Sequence, residues 1–330
     1  MHKIGSLKLR GELFLAPMAD YTNAAFRMLC KEYGAALVYT ELISAKALCM
    51  KSKKTEKMLF VSEKEKPVFL QLFGNNPSDF EKAINFVEKK YSENFAGYDL
   101  NAGCSVPKAL KGKYGCTIME NPENVGHILA AMKKSTNKPV TIKMRLGLRK
   151  ENFLDVAAEA EKAGVDAVCL HPRLGIDGFS GNAKWEKIFE LKQNANVPII
   201  GNGDIKVPIH ALEIKEKTDC DFEMIGRAVI GNAFFFKQTN CALEKKKITE
   251  RTTQEADSEA KKFLFYAKEF NLQPNDVRPY FIVWAKGFHG ASELRNKFAL
   301  SKSIAKIEEI LENCSCAAPS ERRDLKISFI

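Results

Sequence analysis

The sequence predicts an α/β fold: a (β/α)8 TIM barrel followed by a small all-helical C-terminal domain. Three observations predict it. Eight short apolar runs rich in β-formers recur between longer amphipathic stretches over the first 240 residues. Most of these runs are apolar throughout rather than alternating, as parallel strands covered on both faces must be. Beyond residue 240 the runs stop, and apolar residues recur at helical spacing only. The expected division is therefore 1–240 for the barrel and 241–330 for the helical domain.

The eight runs are Leu13–Met18, Ala36–Leu42, Val68–Gly74, Gly97–Gly103, Pro139–Gly147, Ala167–Arg173, Pro198–Asp204 and Phe222–Ala228. Each is followed by a stretch long enough for a helix, among them Pro77–Tyr91, Pro122–Ser135 and Phe153–Gly164. Strand and helix in strict alternation imply βα units and a parallel sheet. An open doubly wound sheet would call for a GxGxxG turn after an early strand, and none follows the first run. In the tail, Glu255–Phe270, Val277–Lys286 and Ser301–Leu311 read as helices, with turns at Asn271–Asn275 and Gly287–Gly290. Ser320–Ile330 reads as a short terminal strand or a frayed end.

Composition narrows the class. With 45% hydrophobic and 28% charged residues, the chain has enough apolar side chains for a large core and no run that spans a bilayer. The apolar stretch near the N-terminus is too soon followed by Asp20 and Asn23 for a signal segment, so a cytoplasmic protein is expected. Nine cysteines are scattered without a CxxC pair, and the lone Cys314-Ser315-Cys316 is weak as a zinc motif; no metal is expected. The net charge of +10 favours an acidic partner, of which nucleic acid is the commonest. Residues 245–330 hold +4 of it, so neither part is a basic tail.

In a TIM barrel the chemistry sits at the C-terminal ends of the strands, and the unusual polar residues fall there. The runs end in, or carry near their ends, Pro17 and Met18; Gln71; Asn101 and Cys104; Lys143 and Arg145; His171 and Arg173; Asn202, Gly203 and Asp204; Gly226 and Arg227. Polar groups inside apolar strands are costly to bury without partners, so several at one barrel face need a shared partner. Flavin mononucleotide, FMN, would supply one. Its pyrimidine edge suits Gln71 as a two-way amide and Lys143 as a cation, and a cation there would stabilise the reduced ring. Its phosphate would suit the glycines and Arg227 at the ends of runs seven and eight. The bland alternatives are turn chemistry for the glycines, an ion pair for Lys143 and a satisfied rim residue for His171. Cys104 sits in a loop over the site, where a thiol can act as nucleophile or acid; no base is visible beside it in sequence, which favours the acid.

Together these residues resemble the tRNA-dihydrouridine synthase family. The matching segments are LFLAPMADYTNAAFR, VFLQLFGNNP, YDLNAGCSVPK, TIKMRLG, AVCLHPR, GFSGNAKW, IIGNGDI and MIGRAVIGNAFFF, in order over most of residues 13–237. Val277–Trp284 with the following KGFHGASELR resembles the family's C-terminal RNA-binding domain. The resemblance implies a TIM barrel, bound FMN, a nicotinamide reductant (usually NADPH) and a tRNA substrate, with no membrane and no stable protein partner implied. It assigns Pro17, Met18, Gln71 and Lys143 to the flavin ring. His171, Asn202, Gly203, Gly226 and Arg227, with Asp204 alongside, fall to the flavin and its phosphate. Asn101 would lie beside the target base and Cys104 would be the catalytic cysteine. Arg145 and Arg173 are substrate-side candidates, and Arg278, Lys286 and Arg295 are tail candidates for RNA. Ser105 stands where the family commonly has proline, Leu174 where threonine is frequent, Lys184 where aspartate is common, and Gly112-Lys113 where Gly-Gly is frequent.

The implied chemistry is reduction of an extruded uracil, with hydride delivered to C6 and a proton from Cys104 to C5. A different enzyme would also use a barrel and FMN: a dihydroorotate or dihydropyrimidine dehydrogenase acting on a free pyrimidine. The helical tail and the positive charge weigh against it. A non-catalytic RNA-binding protein would have no use for Cys104, Lys143 and Gln71 together.

Overall fold

The computed structural model describes residues 2–288 and 290–315; Cys316 and the terminal stretch Ser320–Ile330 lie outside them. Eight parallel strands form the barrel: β1 (Leu13–Leu15), β2 (Val38–Tyr39), β3 (Val68–Phe73), β4 (Gly97–Ala102), β5 (Val140–Gly147), β6 (Ala167–Leu174), β7 (Ile199–Asn202) and β8 (Phe222–Ile225). Each pairs in parallel with the next from β2 to β8, and β8 pairs with β1. A parallel bridge between Phe14 and Leu37 closes the ring. The fold is the expected TIM barrel with a helical C-terminal region.

The strands look apolar throughout because their two faces enter two separate cores. Leu70, Leu72, Tyr98, Leu100, Ile142, Met144, Val168 and Leu170 pack against the outer helices. The alternate positions Phe14, Tyr39, Phe69, Cys169, Ile200, Phe222 and Met224 fill the barrel interior. That interior changes character along the strands. Phe69 gives way to Gln71 on β3, Gly97 to Asp99 and Asn101 on β4, and Thr141 to Lys143 and Arg145 on β5. The apolar half anchors the fold, and the polar half faces the C-terminal mouth. The other end is closed by a hairpin, His2–Ile4 paired with Leu7–Leu9, whose Ile4 and Leu9 join the interior core. Its strands are too short for any periodicity to reveal them.

Four helices, Thr253–Glu269, Pro274–Trp284, Ala291–Leu300 and Ile304–Ser315, form the C-terminal region. The first starts at a capping box, Thr252 with Glu255. Residue 240 lies inside the barrel's last helix, Phe235–Leu243, and the connection to the tail covers residues 244–252. Buried Glu259 joins the two parts. It accepts from the Ala233 and Phe234 amides (2.7 and 3.2 Å) and the Tyr280 hydroxyl (2.8 Å), and pairs with Arg251 at 2.9 Å. Asn23 donates to the Asp276 carbonyl at 3.0 Å, and Phe26 packs edge-on to Tyr280.

Candidate active site

Cys104 follows β4 in a short loop whose shape is set from below. The Asn101 side-chain carbonyl accepts from the Cys104 amide at 3.1 Å. Asn101 in turn donates to Gln71 Oε1 at 2.8 Å, and Gln71 Nε2 donates to Asp99 Oδ2 at 2.7 Å. The Thr141 hydroxyl donates to the other Asp99 oxygen at 2.6 Å. These contacts run across three adjacent strands, since Gln71 is opposite Asp99 and Asp99 opposite Thr141. An aspartate accepts only, so Asp99 fixes which way the Gln71 amide faces, and Gln71 fixes Asn101. Burial pushes the Asp99 carboxyl up to about 6, against the pull of Thr141, Gln71 and Lys143. From the other side, the Cys104 carbonyl accepts from the Cys116 amide at 2.8 Å. Gly115 has φ +65°, and a Cβ there would sit 2.4 Å from that carbonyl oxygen, so the close approach requires glycine.

Lys143 lies opposite Asn101 and donates to Asn202 Oδ1 at 2.9 Å, while Asn202 donates to the Met224 carbonyl at 2.7 Å. Lys143 forms no ion pair with any described residue, and burial lowers its pKa. Arg145 Nε donates to the Gly103 carbonyl at 3.0 Å, and one terminal nitrogen donates to the Leu174 and Gly178 carbonyls at 2.9 and 2.7 Å. Arg145 thus ties the Cys104 loop to the loop after β6.

Between β5 and β6 the register slips, with Arg145 opposite His171 but Gly147 opposite Leu174. Pro172, which has no N–H for the ladder, sits in this bulge. Arg173 contacts His171 Nε2 at 2.9 Å and pairs with Asp204 at 2.5 Å, and it also donates to the Ser180 and Gly181 carbonyls. Arginine cannot accept, so His171 carries its proton on Nδ1 and is neutral. Burial, then the charges of Lys143, Arg145, Arg173 and Arg227, hold its pKa well below the usual histidine value. Gly203 has φ +119°, and a Cβ there would meet the His171 ring at 2.8 Å. The Asp204 carboxylate also accepts from the Ala183 amide at 2.7 Å, and the Trp185 indole donates to the Gly203 carbonyl at 3.0 Å. Arg227 is half exposed; its guanidinium lies 4.1 Å from the Phe179 ring centre and 4.0 Å from Asp204. Pro17 and Met18 follow β1, where the Met18 amide donates to Thr22 Oγ1 at 3.1 Å, and Gly226 directly follows β8.

Four cations therefore converge on one mouth against Asp204 and the enclosed Asp99. That excess, with an unpaired lysine and a glycine-lined corner, fits an anionic ligand with a polar edge, and FMN has both. Among the described residues no cluster of histidine, cysteine or carboxylate could hold a metal ion, and no helix is long and apolar enough to cross a membrane.

The family model described as dihydrouridine synthase matches residues 14–321. The chain belongs to the dihydrouridine synthase family. A probable tRNA-dihydrouridine synthase of Aquifex aeolicus is 39% identical over 232 residues, covering 69% of this chain and 72% of that protein. Another, from Treponema pallidum, is 29% identical over 334 residues and covers 95% and 96%. An old yellow enzyme homologue from Zymomonas mobilis shares the fold, with a TM-score of 0.53 at 12% identity over 77% of this chain and 94% of that one.

The barrel-side candidates all lie at or just beyond the C-terminal ends of the strands, with Gln71 fully buried there, while the tail candidates lie on the packed helices of the C-terminal region. Arg278 donates to the Ala299 and Ser301 carbonyls, at 2.9 and 3.4 Å, and to Asn275. Arg295 donates to the Ala291 carbonyl at 3.2 Å, and Lys286 is exposed. Three residues that matter to the site's shape escaped the sequence: Asp99, Thr141 and Gly115. Asp99 and Thr141 were visible as polar residues inside strands, but only the register reveals that they are neighbours. Phe179 lies in a matched segment, but only the fold brings its ring over Arg227.

Proposed function

We propose that this chain reduces uridine in tRNA to 5,6-dihydrouridine, with FMN as resident cofactor and NADPH as reductant. The observation that carries the proposal is a cysteine loop held by Asn101 at the rim of a cation-rich barrel mouth. Gln71 and Lys143 would hold the polar edge of the ring, with Pro17 and Met18 along it. Neutral His171, Asn202, Gly203, Asp204, Gly226 and Arg227 would form the phosphate corner. When bound, the flavin supplies the hydride that goes to uracil C6.

Cys104 gives the proton to C5: its S–H bond breaks as the C–H bond forms, and the thiolate recovers a proton from solvent. Asn101 has its carbonyl committed to the Cys104 loop, so it offers the target base its remaining N–H. That polarity suits a uracil carbonyl. Arg145 shapes the loop through Gly103 and keeps its second terminal nitrogen for substrate; Arg173 orients His171 and the loop after β6. The base reaches this mouth by leaving its stack, with Arg278, Lys286 and Arg295 of the helical region contributing to RNA binding.

The test is direct. The purified protein should carry a flavin spectrum and form dihydrouridine in unmodified tRNA when supplied with NADPH. Reduction of free uracil or orotate with no reaction on tRNA would establish a small-molecule oxidoreductase instead.

A further inference from the structure

The positive charge of this chain is concentrated. Residues 45–57, between β2 and β3, carry five lysines and one glutamate; residues 103–114, after β4, carry three lysines and no acid. These two short segments hold seven of the ten net positive charges. Lys46, Lys51, Lys53, Lys54 and Lys57 are all exposed, and none forms an ion pair among the described residues. The single acid, Glu56, is taken by Lys90 and Tyr91 from a neighbouring helix. Lys108, Lys111 and Lys113 are likewise exposed and unpaired. Elsewhere exposed lysines commonly find carboxylates, as Lys184 does with Glu151, Lys262 with Glu32 and Lys268 with Glu308.

Both segments lie on one side of the mouth. Ala45 packs beside Gly74, and Tyr114 stacks near Phe73 with ring centres 4.3 Å apart, so they flank the C-terminal end of β3. The second segment carries Cys104 itself. The chain just beyond the first reaches the helical region, where Phe60 meets Phe270 at 5.3 Å. The lysines stand on ordered turns: Ser44 caps the helix Ala45–Cys49, Ser52 caps Lys53–Lys57, and Leu48 and Ala109 are buried beneath. Like charges held together on fixed turns repel one another. A polyanion relieves that repulsion and releases counterions in doing so.

We propose that these two loops form a continuous cationic strip on which the sugar–phosphate backbone of the RNA substrate lies, leading the target nucleoside to Cys104. Naming the polyanion as RNA rests on the activity proposed above; the strip itself rests on charge and position. It shifts the main electrostatic anchor from the tail to the barrel rim.

The experiment uses the full chain and an unmodified tRNA transcript as probe, with binding titrated against salt. Two rim triples, K53Q/K54Q/K57Q and K108Q/K111Q/K113Q, are compared with K3Q/K8Q/K134Q. This control loses the same charge from exposed, unpaired lysines at the opposite end of the barrel. Each lost phosphate contact lowers the slope of log affinity against log salt by roughly 0.7–0.9. Each rim triple should therefore lower it by about two and weaken binding at least roughly tenfold at physiological salt. The control should stay within about twofold, and Lys→Arg triples at the rim should keep the slope. Rim triples that bind like wild type, or a control that weakens as much, would overturn the strip. A wild-type protein that binds through the strip yet forms no dihydrouridine would overturn the activity and leave the strip standing.

Discussion

Asp99 offers a perturbation whose two conservative-looking replacements should move in opposite directions. The carboxyl is fully enclosed, and its pKa stands at about 6 against about 3.9 in an open chain. Below about pH 4 it is neutral in both folded and unfolded states. As pH rises, the unfolded chain ionises first, so the stability held at low pH is lost progressively until the folded group ionises near 6. Two units correspond to about 3 kcal/mol at pH 7. Asp99→Asn carries no such penalty. Its carbonyl can accept from Gln71 and its amide can donate to the Thr141 hydroxyl, so the chain of contacts to Asn101 persists. This variant should be more stable than wild type by up to about 3 kcal/mol at pH 7, a gap that closes toward pH 4, and should keep its activity. Asp99→Leu leaves the buried Gln71 amide without its acceptor, at about 1–3 kcal/mol, leaves the Thr141 hydroxyl only the Tyr98 carbonyl at 3.5 Å, and frees the Gln71 amide to turn. It should lose stability and slow the Cys104-dependent step. Urea denaturation from pH 4 to 8, with the rate at which unmodified tRNA reoxidises the pre-reduced enzyme, tests both. An asparagine variant that is less stable at pH 7 and as slow as leucine would refute the reasoning.

Two further outcomes follow from the same geometry. Glu223 is buried on the outer face of β8, with both side-chain oxygens lacking a hydrogen-bond partner among the described residues, and burial pushes its pKa up to about 8. Its contribution to stability is complete below about pH 4.5 and is lost as pH rises through 8, so Glu223→Gln should gain about 3 kcal/mol at pH 7 and nothing at pH 4; a pH-independent difference in denaturation would contradict this. Arg227→Ala removes a half-exposed cation from the proposed phosphate corner, and on that proposal FMN affinity should fall roughly ten- to a hundredfold, about 1.5–3 kcal/mol. A flavin titration giving unchanged affinity would remove Arg227 from that role.

What was legible in the sequence is what a barrel makes local. Gln71, Lys143 and His171 stand out because each interrupts an apolar run, and the strand order then brings their ends to one mouth. The eight runs themselves locate the strands, although β2 is only two residues long and closure depends on Leu37. The contacts that shape the Cys104 loop were not legible, because Gln71, Asp99 and Thr141 are separated by 28 and 42 residues and meet only through parallel register. Glu259 looks like one more charge on an amphipathic helix, yet it is fully buried against the barrel. The tail arginines show the converse: Arg278 resembles a free cation in sequence, but it donates to carbonyls at the end of the next helix.

The central claim is that Cys104 supplies the proton to uracil, and one measurement addresses it most directly. Cys104 is half buried at the mouth, and no described cysteine forms a disulfide, so Cys104→Ala should fold and retain FMN. The variant enzyme, reduced beforehand by NADPH, is mixed with unmodified tRNA in a stopped-flow instrument and the return of the oxidised flavin spectrum is followed. Loss of a positioned acid predicts reoxidation slower by roughly 10²–10⁴-fold, with reduction by NADPH unchanged and Cys104→Ser intermediate. Reoxidation of Cys104→Ala at the wild-type rate would contradict the account.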